Sequence, residues 1–485
     1  MEMVAVRRSD EGVEKYNKVN ISSYEPRICG LATYCKNKRT HAPGSFNSLD
    51  DYVIAIDNSG RKYDSKDVRC VIDQNDGYSW KNAAYYISNQ AINRSDGGKI
   101  KTVVDLNHEY GLGGATWDED DHYSLLIGEL KKTNAYKAGL LRIVMTKHTI
   151  LSSPSEKIRK MEYRHLAECD AVTVLSAVGR KLLSDRHGKY ANKIFYVDHG
   201  AQERDSDAEI AEARAIRGAD ENLIDIISPG LMGPNKGTVA AIEGYIRAAK
   251  YLERKRPWVR TRFNIQGEAH GDFVGNMAKG ELKPGFVKFA DDVRRLIQAS
   301  GLGLNKEDPF SVAGMRPIEE ILKNGAGRKH GIAVSYGFLE DRDYFLQIAS
   351  HWLANYGGYT NPEQITSGQV AAAMSQGTPI LASKFSHAKE LILPGANEIK
   401  DLEARITDGG IFVPEGVVIG ANGVLVDCNR DRKSMKQIAA AIQMFASSRE
   451  LRNRLKKGAK MRGEMLYWRE TKKGEDEAYQ FALKN

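Results

Sequence analysis

Lys236 stands in the run SPGLMGPNKG at 228–237, where a β-rich stretch gives way to the apolar-periodic GTVAAIEGYIRAAKYLERK. A lysine beside the free amides of a new helix can meet an anion together with them. That pairing is the chemistry needed to stabilise charge developing on a departing phosphate. The order Lys-Gly-Thr excludes a Walker-type loop, which needs Gly-Lys-Ser/Thr. A surface lysine at a helix start is the plainer alternative.

The second group with chemical potential lies at 361–391. Glu363 precedes Ser367 and Gly368, which open the helical pattern SGQVAAAMSQG, so the amides of Ser367 and Gly368 are expected to face a phosphate. For Glu363 the alternative is an acid that caps a helix through its dipole. His387 and Glu390 follow the next strand-like run and are candidates for donor binding, with surface helix positions as the alternative. In the N-terminal half His108 and His148 each close an apolar run, in TVVDLNHEY and LRIVMTKHTI. This puts both at the carboxyl edge of a parallel sheet, where open α/β proteins bind ligands. Glu109 adjoins the first of them. Gly30 follows the first strand, and its missing side chain allows backbone to approach a phosphate or an acceptor, or simply makes a tight turn.

Parallel strands wound with helices must position these residues. β-rich runs start at 52, 102, 141, 171 and 194, are interrupted by the polar AQERDSDAEIAEARAIRGADEN, and resume at 224, 262, 331, 378 and 423. This is an α/β rhythm played twice. At 485 residues the chain also exceeds what one core usually supports. Domains at 1–210 and 211–460 are expected, followed by a helical segment at 461–485 in which Trp468 and Tyr479 act as packing anchors. Acceptor choice is assigned to the N-terminal loops 74–99 and 114–138.

Composition narrows the classes. Hydrophobic residues make up 41% and charged residues 28%, and no apolar run approaches the roughly 18–20 residues of a membrane span. The charged N-terminal run has no secretory apolar core, so a cytoplasmic location is expected. Five scattered cysteines, at 29, 35, 70, 169 and 428, form no close pair of metal-binding spacing and read as reduced thiols. No metal and no cofactor are expected. A net charge of +8 favours polyanions without specifying one.

The runs EPRICGLATYCKNK at 25–38, NHEYGLGG at 107–114, TKHTILSSP at 146–154 and NPEQITSGQVAAAMSQGTPILASKFSHAKEL at 361–391 together resemble the family 4 retaining glycosyltransferases. The nearest subgroup is a bacterial-type one with a His-Glu-Tyr-Gly signature. SPGLMGPNKG, DAVTVLS and the Asp-His-Gly at 198–200 fit as well, so the likeness spans most of the chain. It implies the GT-B architecture of two facing Rossmann-like domains, with a C-terminal helix returning to the N-terminal domain. It also implies metal-independent transfer with retention, from a UDP- or GDP-linked sugar.

By the same resemblance Lys236 is the diphosphate-binding lysine, Glu363 holds sugar hydroxyls, His148 contacts the transferred sugar, and His108 with Glu109 lies near the acceptor. Two positions depart from the family pattern. Leu231 stands where a phosphate-binding arginine is usual, with Arg27 or Lys384 as possible substitutes, and Ala372 stands where a ribose-binding glutamate is usual. Competing readings are a sugar-nucleotide epimerase or glycoside phosphorylase, a non-catalytic nucleotide-sugar binding protein, and a transferase acting on modified DNA. The acceptor is a glycan, a lipid-linked molecule or a modified nucleic acid.

Overall fold

The structure is a computed structural model that describes residues 14–27, 29–41, 48–113, 121–219, 223–230, 232–269, 283–310, 320–321, 328–337, 339, 341–356, 361–392, 413–428 and 431–485. Leu231 and residues 114–120 of the expected acceptor loops lie outside the described residues. The chain divides into two compact units. One comprises Met1–Asp198 with Thr471–Asn485, the other His199–Glu470.

In the first unit seven strands form one sheet: β1 (Tyr16–Ser22), β2 (Ser48–Asp57), β3 (Val68–Asp73), β4 (Lys101–His108), β5 (Leu141–Lys147), β6 (Ala171–Val174) and β7 (Ile194–Tyr196). Their order is β3-β2-β1-β4-β5-β6-β7, and every pairing is parallel. The order reverses between β1 and β4, so the loops leaving these two strands diverge and open a crevice at their carboxyl ends. Gly30 follows β1, and His108 ends β4.

The second unit repeats the plan with β8 (Leu223–Pro229), β9 (Arg260–Gly267), β10 (His330–Tyr336), β11 (Leu353–Tyr356), β12 (Ile380–Ser383), β13 (Val418–Ile419) and β14 (Gly423–Val426). The order is β10-β9-β8-β11-β12-β14-β13, parallel except for the β13–β14 pair. Here the reversal falls between β8 and β11. The loop after β8 carries Lys236, and the segment after β11 carries Glu363 and Ser367.

The helix Thr238–Lys255 turns Ala241, Tyr245, Ala248 and Leu252 inward at helical spacing, and all four are buried in the core of the second unit. The polar stretch from 202 contains a helix at Asp207–Ile216, started by a capping box in which Ser206 and Glu209 satisfy each other's backbone N–H groups.

The stretches expected as acceptor loops are instead largely helical. Gly77–Asn93 is a helix capped by Asp76 and buried along Trp80, Ala84, Ile87 and Ala91, and His122–Lys132 is a helix capped by Asp121. Their apolar spacing, hidden among polar residues, outweighs the loop-like composition.

The last helix, Trp468–Lys484, enters the first unit from Thr471 onward. There Tyr479 Oη donates to Asp105 (2.8 Å), Tyr16 Oη donates to Asp476 (2.8 Å), and Arg142 donates to the carbonyl of Ala482 (3.0 Å). Lys38 lies between Asp105 (2.9 Å) and Glu475 (2.7 Å), and all three side chains are almost wholly buried. Trp468 and Tyr479 are both buried, as their expected anchoring role requires.

Candidate functional site

In the second unit the chain leaves β8 through Gly230 and reaches a single turn, Pro234–Lys236. Gly237 then adopts φ +67, the left-handed region that favours glycine, and redirects the backbone into the helix Thr238–Lys255. Having no side chain, Gly237 leaves the first turn of that helix without a side-chain cap. A buried helix start without a side-chain cap, with the half-buried Lys236 directly before it, is an anion-seeking arrangement. Glu268, just after β9, is at the same sheet edge, and burial pushes its carboxyl pKa up.

The neighbouring helix Gly368–Ser375 begins differently. Ser367 Oγ accepts the N–H of Val370 (3.4 Å), and the Ser367 N–H donates to His387 Nδ1 (2.9 Å). The expectation that the Ser367 amide faces a phosphate is therefore corrected: a histidine already takes it. His387 is buried, not a surface residue, and desolvation, followed by the nearby His199 and Arg462, lowers its pKa to about 3. A neutral ring accepting at Nδ1 carries its hydrogen on Nε2, and among the described residues that atom has no hydrogen-bond partner.

Gly368 faces the His199 ring so closely that a β-carbon there would stand 2.9 Å from it. Gly230, at φ +104, lies against the side chain of Gln369, which any β-carbon at 230 would overlap. The structure thus brings together the loop that carries Lys236 and the helix start at 367–369, with His199 alongside. His199 and Gln369 were not singled out from the sequence, although the Asp-His-Gly run marked the first as part of a recurring pattern.

Glu363 is exposed in a turn where its backbone N–H donates to Asn361 Oδ1 (3.0 Å). It is not a helix cap, because Ser367 fills that place. Glu390 is half-buried on the helix Ser386–Ile392. Lys384 is paired with Asp427 (2.9 Å), and Arg27, in the first unit, donates to Ile56 O (3.2 Å) and Gln74 Oε1 (3.0 Å). Both candidate substitutes for the missing arginine therefore have protein partners. Ala372 is 4% exposed and packs in a core with Ile227 and Phe345, so no carboxylate reaches out from that position.

In the first unit Gly30 opens the helix Gly30–His41, exposed, with no atom within 4 Å of where a β-carbon would stand. His108 ends β4 but is 1% exposed, with its ring against Tyr110, Tyr123 and His165. Burial, then Lys147, lowers its pKa well below the ordinary histidine range, and among the described residues its Nδ1 has no hydrogen-bond partner. His108, expected near the acceptor, is thus a buried side chain at the end of β4. Glu109, beside it, accepts the N–H of Tyr110 (3.0 Å) and the hydroxyl of Thr149 (2.8 Å), and desolvation raises its pKa. His148 is half-buried, with Nε2 3.2 Å from Asn107 Oδ1 and its ring edge-on to Tyr34.

Beneath them runs a buried polar chain that sequence reasoning missed. Lys147 Nζ is 3.0 Å from His165 Nδ1, and His165 Nε2 is 2.5 Å from Asp121, which also caps the helix His122–Lys132. These residues are far apart in sequence, and only the fold joins them. The ligand atoms of His108, Asp121 and His165 lie within 4.8 Å of one another, a spacing a metal ion could use. His165 is also within hydrogen-bond distance of the Lys147 amine, and Asp121 also caps the helix His122–Lys132.

No protein-family model matches the chain, and no curated protein sequence matches it. Solved structures do. A glycosyltransferase from Rickettsia africae is 14% identical with a TM-score of 0.59, covering 97% of this chain and 99% of its own. Anabaena HepE in complex with UDP and glucose is 14% identical with a TM-score of 0.53 (96% and 99% covered). Sucrose-phosphate synthase from Thermosynechococcus elongatus is 13% identical with a TM-score of 0.55 (96% and 98% covered). The shared fold is GT-B, with two Rossmann-like domains.

Proposed function

We propose that the chain is a glycosyltransferase of the family 4 retaining type, moving a sugar from a nucleotide-diphosphate donor to an acceptor hydroxyl without a catalytic metal. The observation that carries this reading is the convergence in the second unit of the Lys236 loop and the helix start at Gly368, with Gly230 against Gln369. A lysine and an uncapped helix start supply fixed positive charge where a diphosphate would depart. Such charge is needed most as the bond to the anomeric carbon breaks, so it accelerates the step instead of merely binding the donor.

In this reading His387 is a positioning residue. By holding the Ser367 amide it fixes the turn that presents the amide of Gly368 to the phosphate. Within the second unit Glu363 is the proposed contact to the transferred sugar; within the first, His148 and Glu109 are the proposed binding residues, Glu109 beside the buried His108. With Ala372 at the ribose position, base and ribose are held by other groups, so UDP and GDP both belong in the donor screen. The reading draws support from UDP and glucose in the HepE complex and from the glycosyltransferase and synthase names of the other neighbours.

The test is a thermal-shift and turnover screen with UDP- and GDP-sugars. Stabilisation by a nucleotide sugar and acceptor-dependent release of nucleoside diphosphate are expected. Stabilisation without any release over a broad acceptor panel, donor hydrolysis included, would instead favour a non-catalytic binding protein.

A further inference from the structure

The edge of the second sheet opposite Lys236, where the parallel strands begin, is strongly basic. Between 247 and 262 the chain carries Arg247, Lys250, Arg254, Lys255, Arg256, Arg260 and Arg262, against Glu253 as the one acid. Arg247, Lys250, Arg254 and Lys255 are all exposed, and their spacing sets them along one side of the helix Thr238–Lys255. The stripe runs into an ordered turn. The Val259 N–H donates to Arg256 O (2.9 Å), Val259 is buried, and Trp258 projects 66% exposed, with the Arg256 guanidinium 5.8 Å from its ring centre.

A second exposed apolar side chain shares this edge. Ile216, 55% exposed, closes the helix Asp207–Ile216 just before β8. β8 and β9 pair in parallel with Leu223 opposite Arg260, and Arg262 ties the two starts together by donating to Arg217 O (3.0 Å) while pairing with the buried Asp225 (2.8 Å). An indole at a turn tip, an exposed aliphatic side chain and a row of unburied cations are the elements of an interfacial membrane contact. Nucleic acid would use the cations and the indole, but an isoleucine offers a base no ring to stack on. Among the described residues no helix is long and apolar enough to cross a membrane, so the contact is peripheral.

We propose that this edge docks on an anionic lipid bilayer, with Trp258 and Ile216 entering the headgroup boundary and Arg247, Lys250, Arg254 and Lys255 lying on the charged surface. The donor loops, at the opposite edge of the same sheet, stay clear of it. The inference does not depend on the catalytic reading.

The test is co-sedimentation of the full chain with phosphatidylcholine vesicles, with and without roughly one-third phosphatidylglycerol, at low and at physiological salt. Binding is expected only with the anionic lipid and weakens as salt rises. Reversing two cations, K250E with K255E, lowers partitioning by at least roughly five-fold per charge, with unchanged circular dichroism. W258F keeps most binding but loses the quenching of tryptophan fluorescence by brominated lipid. Equal binding to neutral vesicles, no binding at low salt, unaltered quenching in W258F, or tight binding to oligonucleotides with none to vesicles would each overturn the proposal.

Discussion

The backbone N–H of Ser367 donates to His387 Nδ1 at 2.9 Å, and this bond holds the turn that opens the helix Gly368–Ser375. His387→Phe removes the acceptor while keeping a ring. The turn should loosen, at about 1–3 kcal/mol for the unsatisfied buried N–H, and donor-dependent kcat/KM should fall roughly ten-fold. Denaturant unfolding and steady-state kinetics check both halves.

His387 also predicts a pH dependence. Its pKa is held at about 3 in the folded chain, below the ordinary value of 6.5, so below 6.5 the unfolded chain binds a proton that the folded one refuses. Stability is thus unaffected by this group above pH 6.5. It falls by up to roughly 1.4 kcal/mol per pH unit as pH drops from there toward 3. In His387→Phe that part of the slope should vanish.

Gly368 and His199 form a steric pair, since a β-carbon at 368 would stand 2.9 Å from the imidazole. Gly368→Ala should cost about 1–3 kcal/mol by overpacking and weaken donor binding. His199→Ala should relieve most of the loss in stability, giving a clear coupling energy in a double-mutant cycle; additive effects would mean that the two residues do not meet.

The last helix is held in the first unit by charges that cannot be removed singly. Burial alone would raise the Asp105 pKa, but Lys38 and then Lys18 pull it down to about 2. Asp105→Asn should destabilise by about 3–5 kcal/mol because Lys38 is left buried and under-compensated. The folded pKa is depressed, so the stability is present above the unfolded value near 3.8 and lost as pH falls through about 2. Acid titration of the unfolding midpoint in wild type and variant reads it directly.

Chelation by EDTA should leave transfer intact, because in the proposed reading Lys236 and the helix start supply the positive charge that a metal cation would otherwise provide. Loss of activity with EDTA and its recovery with manganese would refute the metal-independent step.

The strands were legible because buried parallel strands read as unbroken apolar runs: IDIISP and TVVDLN announce β8 and β4 directly. β1, β3, β11 and β13 are not among the runs read from the sequence: YNKVNIS of β1 is largely polar, VRCVID of β3 carries a charged residue near each end, and β11 and β13 are only four and two residues long. The Lys236 turn was legible because Gly, Pro and Asn punctuate it locally. The contacts of His387 with Ser367 and of Lys147 with His165 were not, because each joins residues that only the folded sheet order brings together. Burial also separated residues of like appearance: His108 and His148 close similar runs, yet one is buried and the other half-exposed.

The most direct measurement is nucleoside diphosphate release from the preferred nucleotide sugar by wild type and Lys236→Ala, both shown to be folded. The proposed role requires the variant to lose roughly 30- to 1,000-fold in kcat/KM, about 2–4 kcal/mol of transition-state stabilisation. Equal release by both proteins, or none by wild type with any nucleotide sugar, would contradict it.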